Sequence, residues 1–173
     1  MANTYTLIAS STVGSGGAAS INFTSIPSTY TDLCLKVSLR TVVAGDWNDN
    51  LIKFNSTTAN YSNKYVYGNG TSALSGSNAY SGSGGYIGGA PGATTTANTF
   101  SNGSVYITNY AGSGYKHYSS DNAAETNATL SYLHILAGLW TDTSAINSIT
   151  LVTDNGTNYA QHSIVSLYGI KNS

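Results

Sequence analysis

Side chains able to do chemistry crowd most densely at Asp46-Trp47-Asn48-Asp49-Asn50. Carboxylate and amide oxygens packed this closely are the hard ligands that calcium takes. The run lacks the loop length and closing Glu of an EF-hand, and Asp and Asn also populate turns on their own account. A sugar is the other ligand that fits. Trp47 can lay an amphipathic face against a pyranose ring, while Asp46, Asn48 and Asp49 bond its hydroxyls. The plain reading, in which Trp47 packs in a core, stands beside it. Trp140 with Asp142 is a second grouping of this kind, and there core packing at the end of an apolar strand is the expectation.

Acid–base chemistry has little to work with. The chain holds one Glu, Glu125, and six Asp. A glycosidase needs two carboxylates about the scissile bond, and Glu125 with Asp121 or Asp142 could supply them only if the fold brought them together. No G-x-S-x-G elbow occurs. Gly68-Asn69-Gly70-Thr71-Ser72-Ala73 mimics a dinucleotide fingerprint but has no helical pattern after it. His117, His134 and His162 lack metal-ligand spacing. The reading is no enzyme, no catalytic residues, no cofactor and no metal.

Composition sets the wider frame. Only 8% of the residues are charged, six Lys and Arg against seven Asp and Glu, for a net charge of −1. Lys36, Arg40, Lys53, Lys64, Lys116 and Lys171 are scattered, so no basic patch for a phosphate backbone is expected and nucleic acid is excluded as partner. Low charge with 40% hydrophobic residues also argues against disorder. The single cysteine, Cys34, cannot form an internal disulfide and is expected to pack inertly in a strand. Met1-Ala2-Asn3-Thr4-Tyr5 has neither the basic stretch nor the apolar run of a signal peptide. No apolar run approaches the ~20 residues that span a bilayer. The longest, Leu133 to Trp140, is broken by His134 and Gly138. A chain made in the cytoplasm, with no membrane partner, is expected.

The elements that must position these residues read as strands. Leu33, Leu35, Val37 and Leu39 alternate with Cys34, Lys36, Ser38 and Arg40, the period of a strand with one buried face. Further strands are expected at Tyr5–Ser10, Ala19–Thr24, Asn50–Asn55, Asn63–Tyr67, Ser104–Tyr110, Leu130–Leu139, Ser148–Thr153 and Ser163–Ile170, all rich in residues that suit a pleated surface. Gly14-Ser15-Gly16-Gly17 reads as a hairpin turn, and Asp154-Asn155-Gly156 carries the Asn-Gly hairpin signal. No helix is expected beyond a turn near Thr141–Asn147, capped by Asp142 or Ser144. The class is all-β: one domain over residues 1–173, a jelly-roll-like antiparallel β-sandwich.

One stretch breaks the pattern. Residues 68–102 are rich in Gly, Ser, Ala and Thr, with Tyr80, Tyr86 and Phe100 spaced along them. Connections this long are uncommon in compact domains. The stretch is either a flexible insertion or an arm that orders against another subunit, its aromatic rings acting as contact anchors.

The two ends of the chain carry a resemblance. Ile26-Pro27, then Thr29-Tyr30-Thr31-Asp32-Leu33, then a strand ending at Arg40, together with the closing Leu167-Tyr168-Gly169-Ile170, resemble small virion proteins of tailed bacteriophages, above all those of phages of cyanobacteria and aquatic bacteria. The resemblance covers about a third of the chain and implies a jelly-roll-like sandwich displayed on a virion. The expected function is structural: a capsid decoration (cement) protein on the outer surface of the capsid, a homotrimer that clamps the major capsid protein. Tyr80, Tyr86 and Phe100 would form its interface. The alternative is a tail or fibre adhesin that recognises host glycans through Trp47, Asp46, Asn48 and Asp49.

Overall fold

A computed structural model describes residues 4–77, 82–126 and 131–171. Twelve strands occur among them: β1 (Tyr5–Thr12), β2 (Ile21–Phe23), β3 (Asp32–Leu39), β4 (Trp47–Phe54), β5 (Tyr61–Gly68), β6 (Ala73–Gly76), β7 (Gly85–Pro91), β8 (Ser101–Ile107), β9 (Lys116–Glu125), β10 (Ser131–Trp140), β11 (Ile149–Thr153) and β12 (Ile164–Ile170). None of the described residues is helical. The expected turn near Thr141–Asn147 is an Asx turn, in which Ser144 N donates to Asp142 Oδ1 at 2.7 Å.

The strands form two antiparallel sheets. The wide sheet has the order β1-β12-β3-β8-β9-β10-β5-β6 and the narrow one β2-β11-β4-β7. Setting aside β5, β6, β9 and β10 leaves eight strands ordered β1-β12-β3-β8 and β2-β11-β4-β7. Counted afresh along the chain, these read 1-8-3-6 and 2-7-4-5, the alternating wrap of a jelly roll. The four remaining strands are two hairpins, β5–β6 and β9–β10, that widen one sheet beyond β8.

Apolar alternation built this core. Leu33, Leu35, Val37 and Leu39 of β3 are buried as their spacing predicts, together with Val105, Ile107, Val165 and Leu167 of the wide sheet. Ile21, Phe23, Ile52, Phe54, Ile149 and Leu151 pack with them from the narrow sheet, and Leu51 is buried on the opposite side of β4 from Ile52. Cys34 is buried as well, and burial raises its thiol pKa, which keeps it protonated and unreactive.

Two turns do not do what their sequences suggest. The chain passes from β1 in the wide sheet to β2 in the narrow one across Gly14–Gly17, so this is a crossover and not a hairpin. The Asp154-Asn155-Gly156 turn likewise links β11 to β12 in the other sheet, although Gly156 does take a positive φ of 73°. Asn-Gly supplies the bend. In a jelly roll the strand after a bend pairs with a distant partner, because neighbours in sequence lie on opposite sheets.

The 68–102 stretch also differs from expectation. Residues 73–76 and 85–91 are strands, and every residue of β7 is buried. β7 closes the narrow sheet against β4 and packs beneath the widened part of the other sheet. Tyr86 is only 2% exposed, so its ring belongs to the chain's own core and cannot serve as an exposed anchor. Phe100 is half-buried just before β8. Tyr80 lies outside the described residues. Deleting residues 68–102 would remove a core strand, and the molecule would unfold before any question of docking arose.

The residues that carry the phage resemblance are structural pins. Asp32 accepts from Tyr106 Oη and from Asn109 N, both at 2.7 Å. The buried Arg40 guanidinium donates to Thr95, Thr96 and Thr99 at 2.9–3.2 Å and so ties down the loop between β7 and β8. The ring of Tyr30 lies over Gly169, where an added Cβ would sit 2.6 Å from Cδ1 and nearer still to Cγ and Cδ2. Thr31 N donates to Ile170 O at 2.8 Å. The two ends of the sequence are thus one packed unit.

Candidate functional site

The Trp47 cluster lies where β4 passes under the widened sheet. A register shift lies beside it: Ile87 and Gly88 of β7 stand against the single Asn50 of β4, so the bulge is on β7. The rings of Trp47 and Phe54, of opposite parity on β4, both meet rings of the other sheet. Phe54 meets Tyr118 and Trp140. Trp47 meets Tyr132, with ring centroids 4.5 Å apart, and stacks on His134 at 5.3 Å. Tyr67 stacks on the same imidazole at 5.1 Å. A cavity of about 190 Å³ remains here, lined by Trp47, Asp49, Tyr65, Tyr67, Tyr132 and His134, with Tyr86 at its base.

Of the four residues expected to bind a glycan, two share this cavity. Trp47 Nε1 donates to Asp49 Oδ1 at 2.9 Å. Asn48 is buried, and its Nδ2 donates to Asn155 Oδ1 at 2.9 Å and Thr157 Oγ1 at 2.6 Å, holding the β11–β12 turn. Asp46 is exposed in the preceding loop, where its carbonyl accepts from Gly92 N at 2.9 Å. The indole itself is half-buried. A Cβ on Gly89 would sit 2.6 Å from Trp47 Nε1 and nearer to Cε2 and Cζ2, so β7 backbone lies against the ring. Tyr132 and His134 pack on it as well. Trp47 is spent on joining the two sheets.

Electrostatics here follow from burial. His134 is 4% exposed, and its Nδ1 shares a 2.8 Å hydrogen bond with Tyr86 Oη. Burial lowers its pKa, and Asp49 opposes this only in part. Burial also raises the Tyr132 phenol, with Asp46, Tyr67 and Asp49 adding to the effect. A neutral His134 imidazole and a neutral Tyr132 phenol result at pH 7.

Other candidate chemistry is dispersed. Asp121 and Glu125 lie on the same face of β9 but four residues apart, about 14 Å along a strand. That exceeds the ~6.5–9.5 Å that even an inverting glycosidase uses. Asp142 follows β10, whose Trp140 pairs with Lys116, nine residues down β9 from Glu125 and so about 30 Å away. Among the described residues no three His, Cys, Asp or Glu side chains come together. Lys116 is a buried cation held by the carbonyls of Gly112, Gly114 and Thr143. Trp140 is a core residue, as expected.

The sequence reading missed the outer face of the widened sheet. Val66, Leu133 and Ile135 are 54%, 53% and 55% exposed. They are contiguous: Ile135 pairs with Val66 across β5, and Leu133 is one pleat away on β10. With Leu74 of β6 they line a shallow groove of about 430 Å³. The signal lay in the run 131–140, where Leu133, Ile135 and Leu139 are apolar on one parity and Leu136 and Trp140 on the other. A strand apolar on both faces needs cover on both.

Searches of protein-family models, of curated proteins and of solved structures return no match to this chain.

Proposed function

We propose that this chain is a structural protein of a tailed-phage virion, a capsid decoration protein that attaches to neighbouring subunits through the outer face of β5, β9 and β10. The observation that carries the reading is the contiguous cluster of exposed Val66, Leu133 and Ile135 on paired strands of the wide sheet. Contiguous apolar surface on a folded chain marks a docking site. Supporting it are the resemblance of the two chain ends to small virion proteins and the scarcity of charge, which makes docking insensitive to salt. The glycan-adhesin alternative is served less well, because the half-buried Trp47 indole packs against Gly89, Tyr132 and His134 of its own fold.

The test is localisation and add-back. Imaging of intact particles should find the chain in many copies on the capsid. Purified protein should rebind particles stripped of it, and Ile135→Asp should abolish rebinding with the fold intact. A handful of copies at a tail tip, or undiminished rebinding by Ile135→Asp, overturns the proposal.

A further inference from the structure

The outer face of the widened sheet has a pattern that is complementary to itself. Ile135 stands opposite Asp121 on β9 and Val66 on β5. Ala137 stands opposite Ser119 and Lys64, and Leu133 opposite Ala123 and Gly68. The central strand therefore presents Leu133, Ile135 and Ala137. An anion flanks it on one side and a cation on the other, and β9 and β5 otherwise present small or apolar residues here. Asp121 accepts from Ser104 Oγ, which leaves its second oxygen to other donors.

We propose that the partner on this face is a second copy of the chain, packed face to face about a two-fold axis running along β10. This rests on the reading of the face as a docking surface and names its occupant: the neighbouring subunit met through this face is another copy, and rebinding of particles depends on that pairing. Rotation about that axis lays β9 of one copy over β5 of the other. Leu133 and Ile135 then meet their own symmetry mates and fill the ~10 Å gap between stacked sheets. Lys64 lands over Ser119 of the second copy, one pleat from its Asp121. That offset is about 7 Å along the strand, which a lysine side chain spans. The pair forms twice, once on each side of the axis, as an isologous interface requires. Three strands at ~4.8 Å spacing and eight residues at ~3.4 Å make a face of roughly 400 Å² per copy. The total is about 800 Å², in the range of weak, transient contacts. A weak, concentration-dependent dimer follows, in place of the trimer expected from the sequence.

Sedimentation of the full chain, from about 1 to several hundred micromolar, tests this together with particle rebinding. The expected result is a dimer that Ile135→Asp abolishes. K64E alone and D121K alone should each weaken it about a hundredfold, because each sets two like-charge pairs in the interface. The double variant K64E/D121K should restore dimerisation. Thermal melts confirm that each variant is folded, which exposed positions allow. A chain that is monomeric throughout, that forms trimers, or whose dimer ignores the charge exchange overturns the inference. If it is monomeric yet rebinds particles through Ile135, the docking reading stands and only the second copy is wrong. If it dimerises as described but Ile135→Asp still rebinds, the dimer stands and the decoration reading falls.

Discussion

Substituting Gly169 by Ala tests whether the two ends of the chain are one structural unit. Gly169 sits within β12 opposite Leu33 of β3 and has no positive φ. Backbone propensity alone would therefore favour Ala by about 0.5–1 kcal/mol. The obstacle is Tyr30. The added methyl would meet Cγ, the root of the ring, and both Cδ atoms. A ring held at its root cannot swing away by rotating its far end. Overpacking of this kind costs about 1–3 kcal/mol, so the net loss is about 1–2 kcal/mol. For a chain of this size that is a fall in Tm of roughly 2–8 °C. Removing the ring with Tyr30→Ala opens the space, and Gly169→Ala on that background should be neutral or stabilise by up to about 0.5 kcal/mol. A double-mutant cycle by urea unfolding should therefore show coupling of about 1–2.5 kcal/mol. Equal effects of Gly169→Ala in both backgrounds, within about 0.5 kcal/mol, would refute the packing argument. The motif would then need a cause outside the fold.

Three further outcomes follow from the geometry. Arg40→Met strips the β7–β8 loop of its charged donor and should cost about 2–4 kcal/mol; hydrogen exchange at residues 95–99 should rise, and unchanged protection there contradicts the pin. His134 titrates below its ordinary value of about 6.5, so from there down to its folded value the unfolded chain binds more protons. Its stability contribution is full above about 6.5 and is lost as pH falls through that window, and His134→Phe should flatten the decline in Tm between about pH 7 and 5. Trp47→Ala should cost about 2–4 kcal/mol if the indole joins the sheets, whereas a solvent-facing sugar platform would change stability by less than about 0.5 kcal/mol; a glycan array on the same variant checks the adhesin alternative directly.

Several elements were legible because one physical signal dominated them. β3 alternates, and its four apolar positions Leu33, Leu35, Val37 and Leu39 all bury. Cys34 and Trp140 were correctly expected to pack. β7 was not legible, because its signal runs the other way. A strand squeezed between two sheets near large rings needs small residues, and Gly88 and Gly89 let Asn122 and Trp47 lie against its backbone. Read without those rings, Gly-Tyr-Ile-Gly-Gly-Ala-Pro looks like a linker. The turns show the same limit. Local residues determine that a chain bends, whereas the strand that pairs next is decided by burial over long range.

The candidate site was half legible for a related reason. A strand expected to begin at Asn50 leaves Trp47, Asn48 and Asp49 as one group ahead of it; β4 begins at Trp47, and alternation sends Trp47 and Asp49 to the cavity and Asn48 to the β11–β12 turn. Aromatic residues near acidic ones make the same sequence pattern in an open groove and in a closed joint. What separates them is whether a partner covers the ring, and here Gly89, forty-two residues away in sequence, does so. The outer face is the converse case. Leu133 and Ile135 are apolar residues left to water, on a strand whose other face is filled. An isolated exposed Leu carries no meaning. Neighbouring β-branched and Leu side chains across paired strands, flanked by one cation and one anion, are costly to leave uncovered. That cost is why the docking reading rests on this face and not on the cluster where the chemistry-bearing residues are densest.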